Sequence, residues 1–211
     1  MYGKSPRPVG VFPSVGDEMM FYQDHPIKLS GQSAVKLEER LLNSFEKIIS
    51  TTCCDFIGNF GLDRFVSSYV YVCAKRLYQA KEKSFNREGW HTDGFMTEDI
   101  TYLWSDASPT LFNSTDFKLT QDDVVSLQEM QEQADPLRNY KHRSNMLLQL
   151  DQYSVHRCEP THDCIRSFLK ITFSKDQFDR KGNTRNYLLD YDWDMKPRSQ
   201  HRNIPQSKIN P

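Results

Sequence analysis

Apolar residues recur along the chain at two spacings, and the spacing changes where secondary structure should change. In SAVKLEERLLNSFEKIIS, the residues Leu37, Leu41, Phe45, Ile48 and Ile49 return every three or four positions, with Lys36, Glu38, Glu39, Arg40 and Lys47 between them. This period predicts an amphipathic helix over 34–50 with Ser33 at its N-cap and its apolar face turned to a core. RFVSSYVYVCAKRLYQ is rich in Val and Tyr and predicts a strand across 66–78, with ITYLWSD (100–106) and PTLFN (109–113) as two more. LTQDDVVSLQEMQEQADP reads as a second helix, with Thr120 and Asp123 as a capping pair and Pro136 as its stop. NMLLQLDQ, SVHRC and CIRSFLKITFS then return to strand patterns.

The two ends differ from this body. Residues 1–31 carry Pro6, Pro8, Pro13 and Pro26 and read as an extended arm laid over a core, with short strands at best. The tail from Lys196 has no apolar period and reads as an exposed extension. There is no internal repeat. A helix followed by many strands and one inserted helix predicts a mostly β fold with flanking helices, a sandwich or barrel in one domain over 1–211. Tyr102, Trp104, Phe112 and Phe117 are expected in its core.

Composition narrows the function classes. The 211 residues hold 27 Lys+Arg against 28 Asp+Glu, which disfavours a strongly basic nucleic-acid binder. A local basic track remains in Arg180, Lys181, Arg185, Lys196, Arg198 and Arg202, interspersed with Asp179, Asp190, Asp192 and Asp194. Thirteen Phe, ten Tyr and three Trp are too many for a disordered chain. No apolar run approaches the roughly 18 residues of a membrane helix, and the first 25 residues lack the apolar run of a signal peptide. Five Cys without framework spacing read as reduced thiols in a cytoplasmic protein, the vicinal Cys53 and Cys54 as packed ones.

Of the six histidines, only His91 is followed two residues later by a carboxylate, in His91-Thr92-Asp93. In extended chain, residues i and i+2 share a face, so this imidazole and carboxylate can meet one cation. His156 lies in the strand-like SVHRC, and Arg166 stands ten residues beyond it. Two His and one carboxylate on one face of a metal, with positions left open, is the non-heme Fe(II) oxygenase arrangement, and Arg offers a planar fork for a carboxylate. A rival cluster, His156, Cys158, His162 and Cys164, offers two imidazoles and two thiols to zinc, although zinc knuckles use C-x2–4-C pairs.

With these residues the chain resembles the Fe(II)/2-oxoglutarate-dependent dioxygenase superfamily, whose fold is the double-stranded β-helix, a jelly-roll or cupin-like core. The resemblance covers residues 66–174 and rests on WHTDGF (90–95), SVHRC (154–158) and Arg166 in CIRSF. It implies Fe(II) held by His91, Asp93 and His156, and 2-oxoglutarate as cosubstrate with its distal carboxylate on Arg166. It also implies dioxygen-dependent hydroxylation or related C–H oxidation, with succinate and CO2 as coproducts. Several of these families carry Ser two residues after that Arg. Here Phe168 takes the position, and Tyr69, Tyr71 or Tyr102 could supply the hydroxyl instead. Met96, Thr97, Glu98 and Asp99 would flank the iron as substrate contacts. A small molecule or an amino-acid side chain is expected as substrate ahead of nucleic acid. Two alternatives stand beside this reading: residues 152–174 as a simple hairpin, and a non-enzymatic β-helix module with zinc at the rival cluster or no metal.

Overall fold

The computed structural model describes residues 1–13, 16–81, 83 and 88–198. Strands β1 (Arg7–Val11) and β2 (Met20–Lys28) lead into helices α1 (Glu39–Phe60) and α2 (Leu62–Ser67). Strands β3 (Tyr69–Gln79), β4 (Ile100–Ser105) and β5 (Leu111–Asn113) precede helix α3 (Val125–Gln133), and β6 (Asn139–Lys141), β7 (Met146–Leu150), β8 (His156–Arg157) and β9 (Cys164–Ser174) follow. They form a six-stranded sheet in the order β1-β7-β4-β9-β3-β2 and a three-stranded sheet in the order β6-β5-β8. All the strand pairs are antiparallel. From β4 onward the chain passes back and forth between the sheets, the winding of a jelly-roll, and α1 buttresses the outside.

The large sheet is packed on both faces. Leu169, Ile171 and Phe173 of β9 join Tyr102 and Trp104 of β4 and the apolar face of α1 in one core cluster. On the other face, Leu103, Leu148, Leu150 and Phe168 meet Phe112 of the small sheet. Strand alternation divides β4 and β9 between these two clusters. The predicted core residues Tyr102, Trp104, Phe112 and Phe117 are all buried.

Several expected boundaries move, each for a local reason. Residues 34–38 are not helical: the Lys36 amide bonds the Ile27 carbonyl, which pins this stretch beside β2. Helix α1 then runs ten residues past Ser50, because Thr52, Cys53 and Phe56 continue the buried face. Gly61, at φ 88°, ends it with its amide on the Ile57 carbonyl. Helix α2 takes residues 66 and 67 from the expected strand. Helix α3 is shorter than expected, and its start is held by the Asp122 carboxylate, which accepts from the Val124 and Val125 amides, while Thr120 bonds Glu129.

The N-terminal arm is more ordered than its prolines suggest. Strands β1 and β2 are the two edges of the large sheet, and Pro8 and Pro26 sit where their registers shift. An edge strand tolerates proline because one side of its backbone has no ladder to complete. Lys28, fully buried, donates to the carbonyls of Leu29, Val66 and Ser68, and burial pushes its pKa down to about 8. The expected exposed tail is docked as far as it is described: Lys196 bridges to Arg180, and Arg198 reaches Asp24. The rest of that tail, 199–211, lies outside the described residues. Strands β8 and β9 lie in different sheets, so residues 152–174 are not a simple hairpin. Among the described residues no helix is long and apolar enough to cross a membrane.

Two predictions follow from this packing. Phe173, stacked on Phe56 at 3.9 Å between ring centroids, fills the contact between β9 and α1. Phe173→Ala should cost about 3–5 kcal/mol in urea unfolding, as for other buried aromatic truncations. His25 is fully buried, its Nε2 has no hydrogen-bond partner, and burial holds its pKa below the ordinary value despite Glu38. The unfolded chain therefore takes up a proton on this residue at a higher pH than the folded one does. Above the unfolded pKa of about 6.5 the group is neutral in both states, and below it stability declines. The unfolding free energy of His25→Asn should fall less between pH 7.5 and 5.5 than that of the wild type.

Candidate metal centre

Two short segments carry the ligands, and apolar neighbours anchor both. Trp90 and Phe95 bracket the His91-Thr92-Asp93 stretch and are buried with Val155, which precedes His156, in a cluster that includes Met130 of α3. Between them His91 and His156 form an isolated antiparallel bridge, each amide bonding the other's carbonyl at 3.0 and 2.9 Å. The imidazoles therefore stand side by side, with ring centroids 4.6 Å apart.

Backbone contacts also set how the rings face. His91 Nδ1 lies 3.0 Å from the Gly89 carbonyl and His156 Nδ1 lies 2.9 Å from the Ser154 carbonyl. A carbonyl only accepts, so Nδ1 carries the hydrogen in each ring and Nε2 presents a lone pair, as metal-binding imidazoles require. Asp93 closes the group: its Oδ2 is 3.7 Å from His156 Nε2, and one ligand atom from each of the three residues lies within 4.8 Å of the others. Among the described residues this is the one group of three or more His, Cys, Asp or Glu so arranged. Two imidazole nitrogens and one carboxylate oxygen suit a divalent transition metal, and three protein ligands leave coordination positions open.

The turn after the ligands depends on Gly94. At φ +66°, a Cβ there would lie 2.6 Å from Thr97 Oγ1 and 2.8 Å from Asp99 Cβ. Only glycine fits this turn without displacing the side chains behind it.

Strand β9 supplies the cations. Its inward positions are Arg166, Phe168 and Lys170, opposite the face of Leu169 and Ile171. Lys170 Nζ donates to Asp93 Oδ1 at 3.2 Å. Burial would raise the Asp93 carboxyl, but Lys170 and the two imidazoles outweigh it and hold the group well below the usual carboxylate range. Reciprocally, burial would lower the Lys170 ammonium, and Asp93, Cys73 and Asp24 outweigh it and hold it above its ordinary value. Lys75, on the neighbouring strand, is pushed down by burial and further by Lys170 and Arg166. Arg166 is 5% exposed; its Nε donates to the Ala107 carbonyl at 2.9 Å, and its buried Nη2 has no partner.

The three tyrosines singled out from the sequence are otherwise engaged. The Tyr102 hydroxyl donates to Asp55 on α1, on the outer face of the sheet. The Tyr71 hydroxyl donates to the Asp176 carbonyl and accepts from the Phe178 amide. Tyr69 stacks on Tyr71 and meets Trp193 edge-on. The rival zinc set does not assemble: Cys164 opens β9 in the large sheet, His156 belongs to the small one, and His162 is exposed. Of the late basic residues, Arg180 and Lys196 pair with Asp179, Arg198 pairs with Asp24, and Arg185 donates to the Tyr191 carbonyl, while Arg202 lies outside the described residues. Neither Lys170 nor Gly94 stands out in the sequence as a site residue. The signal for Lys170 was its four-residue spacing from Arg166 within one strand, which puts both on the same face.

No protein-family model matches the chain, and no curated protein matches it. Among solved structures it is similar to EvdO2 from Micromonospora carbonacea var. aurantiaca, with a TM-score of 0.42 at 11% identity over 64% of this chain and 62% of that one. EvdO2 complexed with 2-oxoglutarate gives 0.42 at 12% identity with the same coverage. A bsmA homolog from Methylobium petroleophilum PM1 gives 0.38 at 10% identity, over 72% of this chain and 63% of that one. The chain thus spans less than two thirds of the length of each.

The ligand set predicts an unequal response to truncation. His91→Ala and His156→Ala should each abolish stoichiometric binding of a divalent metal and leave thermal unfolding of the metal-free protein close to wild type. Asp93→Ala should abolish binding as well, and also destabilise the metal-free protein by about 1–3 kcal/mol, because it strands the partly buried Lys170 ammonium. Equal unfolding midpoints for the three metal-free variants would contradict this account.

Proposed function

We propose that the protein is a non-heme Fe(II) oxygenase that couples decarboxylation of 2-oxoglutarate to hydroxylation or related C–H oxidation of a substrate. The observation that carries this reading is the convergence of His91, Asp93 and His156 with no fourth protein ligand among the described residues. A structural metal is normally closed by its protein ligands, whereas a centre that must bind cosubstrate and dioxygen needs open positions. Fe(II) held by these three residues supplies the oxidative step, in which 2-oxoglutarate, dioxygen and a C–H bond give succinate, CO2 and the hydroxylated product.

The remaining tasks fall to the chain. His91 and His156 are oriented by carbonyls two residues before each of them, so the metal site is set by backbone rather than by long side chains. Arg166 is assigned the distal carboxylate of 2-oxoglutarate. Its buried, unpartnered Nη2 is a costly group to leave without an acceptor, and a carboxylate satisfies it with a charge-assisted bond. Phe168, in the position where several families of the resembled superfamily carry Ser, places its ring centroid 4.9 Å from the guanidinium carbon and leaves that side of Arg166 apolar. Tyr69, Tyr71 and Tyr102 take no part in cosubstrate binding on this reading. Own-chain pairing of Arg180, Lys196 and Arg198 favours a small molecule or an amino-acid side chain over nucleic acid as substrate.

Anaerobic addition of Fe(II) and 2-oxoglutarate should produce the visible metal-to-ligand charge-transfer band of the chelate, and admission of air should yield succinate. Arg166→Ala should weaken 2-oxoglutarate by about thirty- to several-thousand-fold, the range expected from truncating one partner of a buried charged pair at about 2–5 kcal/mol. Fe(II) affinity should stay nearly unchanged. Arg166→Lys should recover part of the loss, since it keeps the charge without the planar fork. Binding of 2-oxoglutarate to Arg166→Ala within a few-fold of wild type would sink the assignment.

A further inference from the structure

Lys170 is built into the middle of the large sheet. Strand β9 pairs with β3 on one edge and β4 on the other, and Lys170 stands opposite Cys73 in one register and Leu103 in the other. Its backbone cannot slide without breaking both ladders, and alternation fixes its side chain to the inward face. There its ammonium sits 3.2 Å from Asp93 Oδ1, while Asp93 Oδ2 faces His156 Nε2 at 3.7 Å. One carboxylate therefore has two different neighbours, a fixed cation on one oxygen and the metal position on the other.

The charge count gives this arrangement a consequence. Without metal, Asp93 and Lys170 pair directly, while Asp24, ion-paired with Arg198, acts on Lys170 through space and Asp99 adds a negative charge near Asp93. A divalent cation at the triad then lies beside the Lys170 ammonium, with Arg166 on the same inward side of β9. Repulsion between these charges opposes the metal, and an anion bound next to it relieves that repulsion. We propose that Lys170 is the resident counter-ion of Asp93 that makes metal retention conditional on an anionic co-ligand. Metal and anion then bind with positive coupling, and linkage makes the coupling reciprocal, of order 5–150-fold.

This rests on the triad accepting a divalent metal, and the test separates the two claims. Mn(II) dissociation constants are measured from free-ion EPR for the wild type, Lys170→Met, Lys170→Gln and Lys170→Arg, alone and with saturating 2-oxoglutarate or oxalate. Oxalate serves as an anionic chelator that does not depend on the assignment of the cosubstrate. Gln keeps a donor for Asp93 Oδ1 without the charge, so it separates charge from orientation. It also provides a second neutral variant if Met fails to fold. The expected result is that Lys170→Met and Lys170→Gln bind Mn(II) alone about tenfold tighter than the wild type and show a smaller tightening with either anion, the share from direct chelation remaining. Lys170→Arg should behave like the wild type. Metal affinity unchanged in both neutral variants, or weakened in Met and retained in Gln, overturns the proposal and leaves the triad standing. A wild type that takes no Mn(II) with or without the anions overturns the triad and this proposal together.

Discussion

Strand β9 has a hydrogen-bonded neighbour on each edge, so its side chains have only two directions open to them. One direction is apolar: Leu169, Ile171 and Phe173 lock the sheet onto α1. The other carries Arg166, Phe168 and Lys170 toward the ligand-bearing segments. The stability of the first face holds the second in place. A guanidinium and an ammonium within a folded interior need a rigid support, because each resists desolvation and would otherwise turn to water. The contact between Phe173 and Phe56 and the placement of Arg166 are in this sense two ends of one strand's constraint.

The ligand segments reach that strand by a different device. His91 and His156 lie at the ends of segments too short to be specified by their own propensity, β8 being two residues long. What joins them is the pair of backbone bonds between the two histidines and the apolar cluster of Trp90, Phe95 and Val155 around it. Imidazole orientation then follows from local carbonyls. The geometry of the centre is thus encoded largely by main chain and packing, and this is why His156 meets the distant His91-Thr92-Asp93 stretch with ligand atoms within 4.8 Å of one another.

This division explains what could be read from the sequence. Strands with long patterned runs were legible, and β9 fell on the expected CIRSFLKITFS because its alternation and β-branched content agree. The site residues were legible as types and spacings, since His-x-Asp and a distant His with Arg at plus ten need no fold knowledge to be noticed. The arm was not, because Pro8 and Pro26 lower strand propensity locally, and edge position, a property of the whole sheet, is what permits them. The sequence pattern of helix α1 fades after Ser50 because Thr51, Thr52 and Gly58 weaken the local signal, while burial of Thr52, Cys53 and Phe56 sustains the helix to Phe60. A tyrosine's hydroxyl carries no sign of which face it takes, and it is alternation along β4 that turns Tyr102 to the helix side.

Two lysines, Lys28 buried and Lys170 partly buried, show how far environment, rather than residue type, sets chemical character here. Lys28 lies among three carbonyls and over the Phe65 ring, with no carboxylate among the described residues in contact, and burial pushes its pKa down to about 8. Neutral acceptors satisfy its hydrogens but return only part of the solvation energy of the charge, so the site works as a clamp between β2 and the start of β3. Lys170 meets Asp93 directly and Asp24 through space, and the same desolvation is outweighed, so its ammonium is held above the ordinary value. The first lysine spends its hydrogens on the fold. The second keeps its charge inside the sheet, next to the three residues able to hold a metal, and so governs what other charges can share that space.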